Sequence, residues 1–189
     1  MTSKLHIIVG STRPGRVGPV IARWFEAKAK EHGKFEPVLV DLADFKLPVY
    51  DEPKHPMMQQ YEHAHTKAWA ASVAAAAAYV FVTPEYNFGP PSSLLNALTY
   101  VYKEWNYKPG GVVSYGGVSG GLRAAQALKQ TLATLKIVPI PEGVGIPNFP
   151  QLIDENGAFK PNDLIATGAN TMLDELAKWT GALQALRAA

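Results

Sequence analysis

Apolar positions along the chain follow two alternating patterns. Five short apolar runs, 5–9, 37–40, 79–82, 111–114 and 137–140, suit a strand and are too short for a helix. Between them apolar residues recur every three or four positions. After Pro19 the set is Val20, Ile21, Trp24 and Phe25, and a second helix is predicted over 57–76. A third starts near Pro91, with Leu94, Leu95, Leu98, Val101, Tyr102 and Trp105 on one stripe. A fourth carries Leu122, Ala125, Leu128, Leu132 and Leu135, and a fifth carries Met172, Leu176, Trp179, Leu183 and Leu186. The proline-rich piece 139–150 reads as a long excursion after the last strand.

Strands that alternate with helices predict an α/β fold, with a parallel sheet covered on both faces. Five such strands are the count of the doubly wound, flavodoxin-like sheet of order 2-1-3-4-5. In that order ligands bind beyond the carboxyl ends of strands 1 and 3, where the winding direction switches. The loops at 11–18 and 84–91 must then meet. With 189 residues, and neither an internal repeat nor a linker, residues 1–189 are expected to form one domain.

The first loop, Gly10-Ser11-Thr12-Arg13-Pro14-Gly15-Arg16-Val17-Gly18-Pro19, joins a strand to a helix. Free backbone N–H groups and a positive helix N-terminus there suit a phosphate. Gly10 and Gly15 have the spacing of a P-loop, but Arg16 stands where its lysine belongs and Val17 where its magnesium-binding hydroxyl belongs. No predicted strand ends on an acidic residue that would serve as a second magnesium ligand. Nucleoside triphosphate hydrolysis is therefore set aside, and the dinucleotide fingerprint is absent from this loop. What remains is a metal-free phosphate site, with hydroxyls from Ser11 and Thr12 and guanidinium forks from Arg13 and Arg16. Gly15 and Gly18 allow a left-handed turn or a close backbone approach.

Two further loops point to the same end of the sheet. Thr83-Pro84-Glu85-Tyr86-Asn87-Phe88-Gly89-Pro90-Pro91 is stiff and polar-aromatic, and suits the edge and face of a planar heterocycle. Ser114-Tyr115-Gly116-Gly117-Val118-Ser119-Gly120-Gly121 carries four glycines, which clear space where a ligand or a helix approaches closely.

Composition narrows the classes. A net charge of +2 without a basic block argues against nucleic acid as a partner. The chain has no cysteine, which excludes disulfides, thiolate nucleophiles and cysteine-held metals. The start shows no signal-peptide pattern, and the alanine-rich run 68–82 is too short to cross a membrane, so a cytoplasmic protein is expected.

Taken together, the three loops and the helix start Ser92-Ser93-Leu94-Leu95-Asn96-Ala97 resemble the NADPH-dependent FMN reductase family. These are flavodoxin-like flavoenzymes that include quinone, azo-dye and chromate reductases. The resemblance runs up to the last strand. It implies that Ser11, Arg13, Arg16, Val17 and Gly18 surround the FMN phosphate. Pro84, Glu85, Tyr86, Asn87, Ser114 and Gly116 would border the isoalloxazine, with Tyr115 and Gly117 as further neighbours. One departure stands out. Where some relatives carry serine and asparagine, this chain has Val17, Gly18 and Pro19, so Arg16 and backbone amides must do more.

The family pattern implies hydride transfer from NADPH or NADH to the flavin, then to a small electron acceptor, in two half-reactions on one exposed face. It also implies a homodimer or homotetramer. No acid–base pair is needed, and Asp51-Glu52 and Asp154-Glu155 read as solvated loop carboxylates. His63 and His65, two apart on a predicted helix, should diverge and bind no metal. His6 reads as a packed or edge histidine. Tyr100, Tyr102, Trp105 and Tyr107 suit core packing, with a dimer surface or substrate wall as the alternative. A flavodoxin-like electron carrier is the competing reading for the whole chain, although such carriers are usually strongly acidic. A non-catalytic phosphate-ligand sensor is a third.

Overall fold

A computed structural model describes residues 2–188. Its strands are β1 (Ser3–Val9), β2 (Phe35–Asp41), β3 (Ala78–Pro84), β4 (Pro109–Tyr115) and β5 (Val138–Ile146). They form one parallel sheet of order β2-β1-β3-β4-β5, as the alternating pattern predicts. Central strands β3 and β4 are buried at every position, and so read as continuous apolar runs.

Helices α1 (Gly18–His32), α2 (Leu42–Phe45), α3 (Ala64–Ala75), α4 (Ser92–Thr99), α5 (Leu122–Thr134), α6 (Asp163–Ala182) and α7 (Gln184–Ala188) complete the order. On one face α1 and α6 close a core with Leu5, Ile7, Val80 and Val113. On the other, α3, α4 and α5 close a second core around Tyr79, Phe81, Trp69 and Trp105. The helix layer thus changes sides at the β1/β3 boundary, and the loops after β1, β3 and β4 open at the same end.

Several expectations need correction. The excursion at 139–150 is mostly strand, because β5 runs to Ile146 with Ile140, Val144 and Ile146 buried. Its prolines are tolerated on an edge strand, where one side needs no ladder bond. The helix expected over 57–76 begins only at Ala64. Ahead of it lie a 3-10 turn (Pro56–Met58) and Gln59 in the left-handed region at φ 53°. Glu52 fixes that entry. It is buried rather than solvated, and accepts the Glu62 and His63 N–H groups at 2.8 and 3.0 Å. The third helix stops at Thr99, and Trp105 lies on a separate 3-10 turn, Lys103–Trp105.

Tyr100 and Trp105 are fully buried, which bears out core packing for those two aromatics. Trp179 and Leu186, assigned to the last apolar stripe, are exposed. His6 is packed inside the sheet. Burial, with Lys108 and Lys4 adding like charge, lowers its pKa to about 4. His63 and His65 do not diverge. His63 precedes the helix in extended backbone, and the two rings stack at 5.2 Å, with His65 Nε2 3.0 Å from Asp51 Oδ1. Among the described residues no cluster of three or more such side chains is arranged to hold a metal.

Candidate functional site

The three loops meet. Ser11 is buried and its hydroxyl lies 3.0 Å from the Tyr86 hydroxyl, which ties the first loop to the second. Ser93 Oγ, at the start of α4, donates to the Gly10 carbonyl at 2.6 Å. The Glu85 N–H donates to the Tyr115 carbonyl at 3.1 Å and joins the second loop to the third.

In the first loop the chain turns at Gly15, φ 71°, and enters α1 at Gly18. Val17, at the cap position, provides no side-chain acceptor, and the first turn of α1 holds no acidic residue. The positive end of the helix is therefore left without the partner that Ser, Thr, Asp or Asn usually supplies. Among the described residues, the N–H groups of Thr12, Gly15 and Val17 have no hydrogen-bond partner. Arg13 is exposed and unpaired, its guanidinium 5.9 Å from the Tyr86 ring centre. Arg16 Nη2 is bonded to Asp41 Oδ2 at 2.6 Å, while its Nε is buried without a partner. Asp41 ends β2, so an acidic strand end does exist, contrary to the sequence reading. It is committed to Arg16 and to the Ala43 N–H at 3.0 Å, which leaves it poorly placed for a metal.

The second loop is a tight turn. Tyr86 and Gly89 exchange both backbone hydrogen bonds at 2.9 Å, and Asn87 and Phe88 between them both have positive φ, 49° and 67°. A phenylalanine in that region is strained. Its exposed ring lies 3.9 Å beneath the Arg123 guanidinium. The same arginine pairs with Glu85, Nε to Oε1 at 2.7 Å, and the Arg123 N–H donates to Oε2 at 3.1 Å. Desolvation would raise the Glu85 pKa, but hydrogen bonds from Arg123, Ser119 and the Ala124 N–H pull it below the usual range. The Glu85 carboxylate thus caps α5 and is not turned towards a ligand.

The glycines of the third loop divide into two groups. A Cβ on Gly121 would lie 2.7 Å from the Tyr115 nitrogen, and one on Gly120 3.1 Å from the Pro147 nitrogen. On Gly116 it would lie 3.1 Å from the Gly121 nitrogen. These three exist so that the chain can pack on itself. Gly117 alone of the four faces open space. Ser114 also turns inward, donating to the Gly120 carbonyl at 2.8 Å. Pro84 is buried at the end of β3. Tyr115 packs edge-on against Phe149 at 5.4 Å and sends its hydroxyl to Gly18, where a Cβ would lie 3.1 Å from it.

Sequence reasoning missed Asp41 and Arg123. Both act through contacts 25 and 38 residues apart, and no local pattern announces them. The phosphate end of the cleft fits a phosphomonoester, with an uncapped helix start, a buried unpartnered guanidinium nitrogen and a buried unpartnered hydroxyl. A polar recess of about 260 Å³ adjoins it, lined by Thr12, Leu42, Ala43, Lys46, Leu47, Ser93 and Asn96. A larger groove of about 880 Å³ lies elsewhere, between the 50–57 segment, α4 and α5. None of the three loops contributes to it, so its size carries no weight in placing the site.

A family model for NADPH-dependent FMN reductases matches residues 3–151. An NAD(P)H-dependent FMN reductase of Schizosaccharomyces pombe is 45% identical over 139 residues, 72% of this chain and 69% of that one. A quinone reductase of Pseudomonas putida is 29% identical over 184 residues, 92% of each chain. The flavoenzyme FerB, an NAD(P)H:(acceptor) oxidoreductase of Paracoccus denitrificans, superposes with a TM-score of 0.75 at 21% identity, over 96% of this chain and 98% of that one. That last likeness speaks to the fold. Since the family model spans most of the chain, and the loops it covers build one cleft, this protein belongs to the NADPH-dependent FMN reductase family of oxidoreductases.

Proposed function

We propose that the three-loop cleft holds FMN and that the chain reduces a small acceptor at the expense of NADPH or NADH. The observation that carries the reading is the uncapped start of α1, with the unpartnered Arg16 Nε and Tyr115 hydroxyl buried, beside a stiff loop and the open Gly117. FMN, when bound, supplies the hydride acceptor and donor. In this reading Ser11, Arg13, Arg16 and the backbone at Val17 and Gly18 hold the phosphate. Asp41 keeps the Arg16 fork in place. Pro84, Tyr86 and Asn87 border the ring, with Glu85 contributing backbone only. Ser114 and Gly116 shape the third loop from behind.

The acceptor class follows from the rim. Phe88, Val118 and Leu122 are 67, 89 and 58% exposed on the second and third loops and the start of α5, an unusual apolar surface beside a polar cleft. A flat, weakly polar acceptor such as a quinone suits it best, ahead of azo and nitro compounds, metal oxyanions and free flavin. The Pseudomonas putida relative, a quinone reductase, supports that order.

We further propose that residues 1–189 form one FMN-binding domain of a cytoplasmic homodimer or homotetramer. The groove exposing Met57 beside Leu98, Val101 and Leu135 is a surface for a second copy. No helix among the described residues is long and apolar enough to cross a membrane. The deciding experiment is anaerobic. NADPH should bleach the flavin absorbance of the loaded protein, and a quinone added afterwards should restore it. A protein that binds no flavin when offered it, or whose flavin is untouched by either nicotinamide, refutes the proposal.

A further inference from the structure

The polar recess beside the phosphate end has walls from three places. Thr12 comes from the first loop, Lys46 from the turn after α2, and Ser93 and Asn96 from α4. The chain's own hydrogen bonds tie these walls together. Ser93 Oγ holds the first loop through the Gly10 carbonyl at 2.6 Å. Asn96 holds the stretch after Lys46, donating to the Pro48 carbonyl at 2.6 Å and accepting the Tyr50 N–H at 3.0 Å. The charge of the recess is one-sided, since Lys46 lines it and no acidic residue does. Among the described residues the Lys46 ammonium makes neither a hydrogen bond nor an ion pair, whereas Arg16, Lys34 and Arg123 each have a carboxylate. Lys46 also ends α2 at φ 48°, in the left-handed region where glycine or asparagine is usual. A lysine is thus kept at a backbone position that does not favour it.

At about 260 Å³ the recess is smaller than the roughly 300–1,000 Å³ that encloses a whole small ligand, so it takes the end of a longer one. A free ammonium beside a hydroxyl and the unpartnered Thr12 N–H selects an anionic end. Arg16 and the start of α1, assigned above to the flavin phosphate, do not line it. Resting on the reading that the cleft is reduced by NADPH or NADH, we infer that the recess binds the 2′-phosphate of NADPH. Lys46 then makes the chain prefer NADPH to NADH. The 2′-phosphate is a terminal phosphomonoester and fits a recess that closes on one end. The pyrophosphate, which both nucleotides share, lies mid-molecule and must continue on both sides. Thr12 joins the two anion sites, because its loop cradles the flavin phosphate while its side chain lines the recess.

The test uses FMN-loaded wild type, Lys46→Ala and Lys46→Gly. Calorimetric titration compares adenosine 2′,5′-bisphosphate with 5′-AMP, which differ only in the 2′-phosphate. Anaerobic stopped-flow follows flavin reduction by each nicotinamide. The wild type should bind the bisphosphate about tenfold more tightly than 5′-AMP, and both variants should lose that margin. Half-saturating NADPH should rise about tenfold in the variants, with NADH moving less than about twofold and the limiting rate unchanged. Added salt should shrink the margin in the wild type. Lys46→Gly places glycine where φ is positive, so its loss is not a fold defect. Equal weakening of NADPH and NADH overturns the inference by giving the recess to the shared pyrophosphate. Weaker FMN binding in the variants overturns it by giving the recess to the flavin. A wild type with no margin between the two adenylates overturns it outright. A wild-type flavin that neither nicotinamide reduces fails differently, by sinking the reaction on which the inference stands.

Discussion

Gly121 and Gly117 sit four residues apart in one loop, yet alanine should act oppositely at the two. At Gly121 φ is 79°, a region that costs an alanine about 1–2 kcal/mol. The added Cβ would also lie 2.7 Å from the Tyr115 nitrogen and 2.9 Å from both Ser114 Cβ and the Tyr115 oxygen. Two of these atoms belong to the backbone of β4 and the third to a buried serine held by Gly120, so none can swing aside. Overpacking of this kind costs about 1–3 kcal/mol, for a total of about 2–5 kcal/mol. In a chain of this length that lowers the unfolding midpoint by about 4–20 °C. At Gly117 a Cβ meets nothing within 4 Å and the backbone is outside the left-handed region. Alanine there restricts the unfolded chain and should leave stability unchanged or raised by up to about 1 kcal/mol. Urea unfolding followed by the fluorescence of the four tryptophans measures both. FMN titration of Gly117→Ala then tests the site, where affinity should fall although the fold is intact. A Gly121→Ala variant within 1 kcal/mol of wild type, or a Gly117→Ala variant less stable than Gly121→Ala, would refute the division of this loop into packing and ligand-facing glycines.

Three more outcomes are expected. His6 has its pKa lowered to about 4 in the fold, so the unfolded chain binds more protons between that value and its ordinary 6.5, and stability is lost as pH falls through this window. Urea unfolding should show about 2 kcal/mol less stability at pH 5 than at pH 7, and His6→Leu should abolish that difference. Glu52→Ala strands the Glu62 and His63 N–H groups and should cost about 2–3 kcal/mol, with faster proteolysis in the 46–63 segment, whereas Glu52→Gln should lose less. Arg16→Ala should weaken FMN by about tenfold to a hundredfold in equilibrium dialysis, and adding Asp41→Asn should recover part of the loss, because a lone Asp41 would repel the phosphate.

The sheet was legible because β1, β3 and β4 are buried on both faces and therefore read as unbroken apolar runs. The end of β5 was not, since Pro139, Pro141, Gly143 and Gly145 look like loop chemistry and only an edge position excuses them. The start of α3 depends on Glu52, a contact ten residues distant that periodicity does not register. At the site, residue types placed three loops at one end of the sheet, and the tie between Ser11 and Tyr86 joins the two that were expected to meet. Side-chain direction was the harder matter. Glu85 belongs to Arg123, Ser114 to Gly120 and part of Arg16 to Asp41, and each assignment depends on a partner that sequence spacing does not reveal.

The two cores have a consequence for how the protein acquires its cofactor. One closes between the sheet and α1 with α6, the other between the sheet and α3, α4 and α5, and the cleft lies beyond the ends of the strands, touching the first core only at Val17 and Tyr115. Most of the hydrophobic contacts that hold the chain together therefore lie away from the cleft. The apoprotein should persist as a folded reserve that can be stripped, stored and reconstituted with altered flavins.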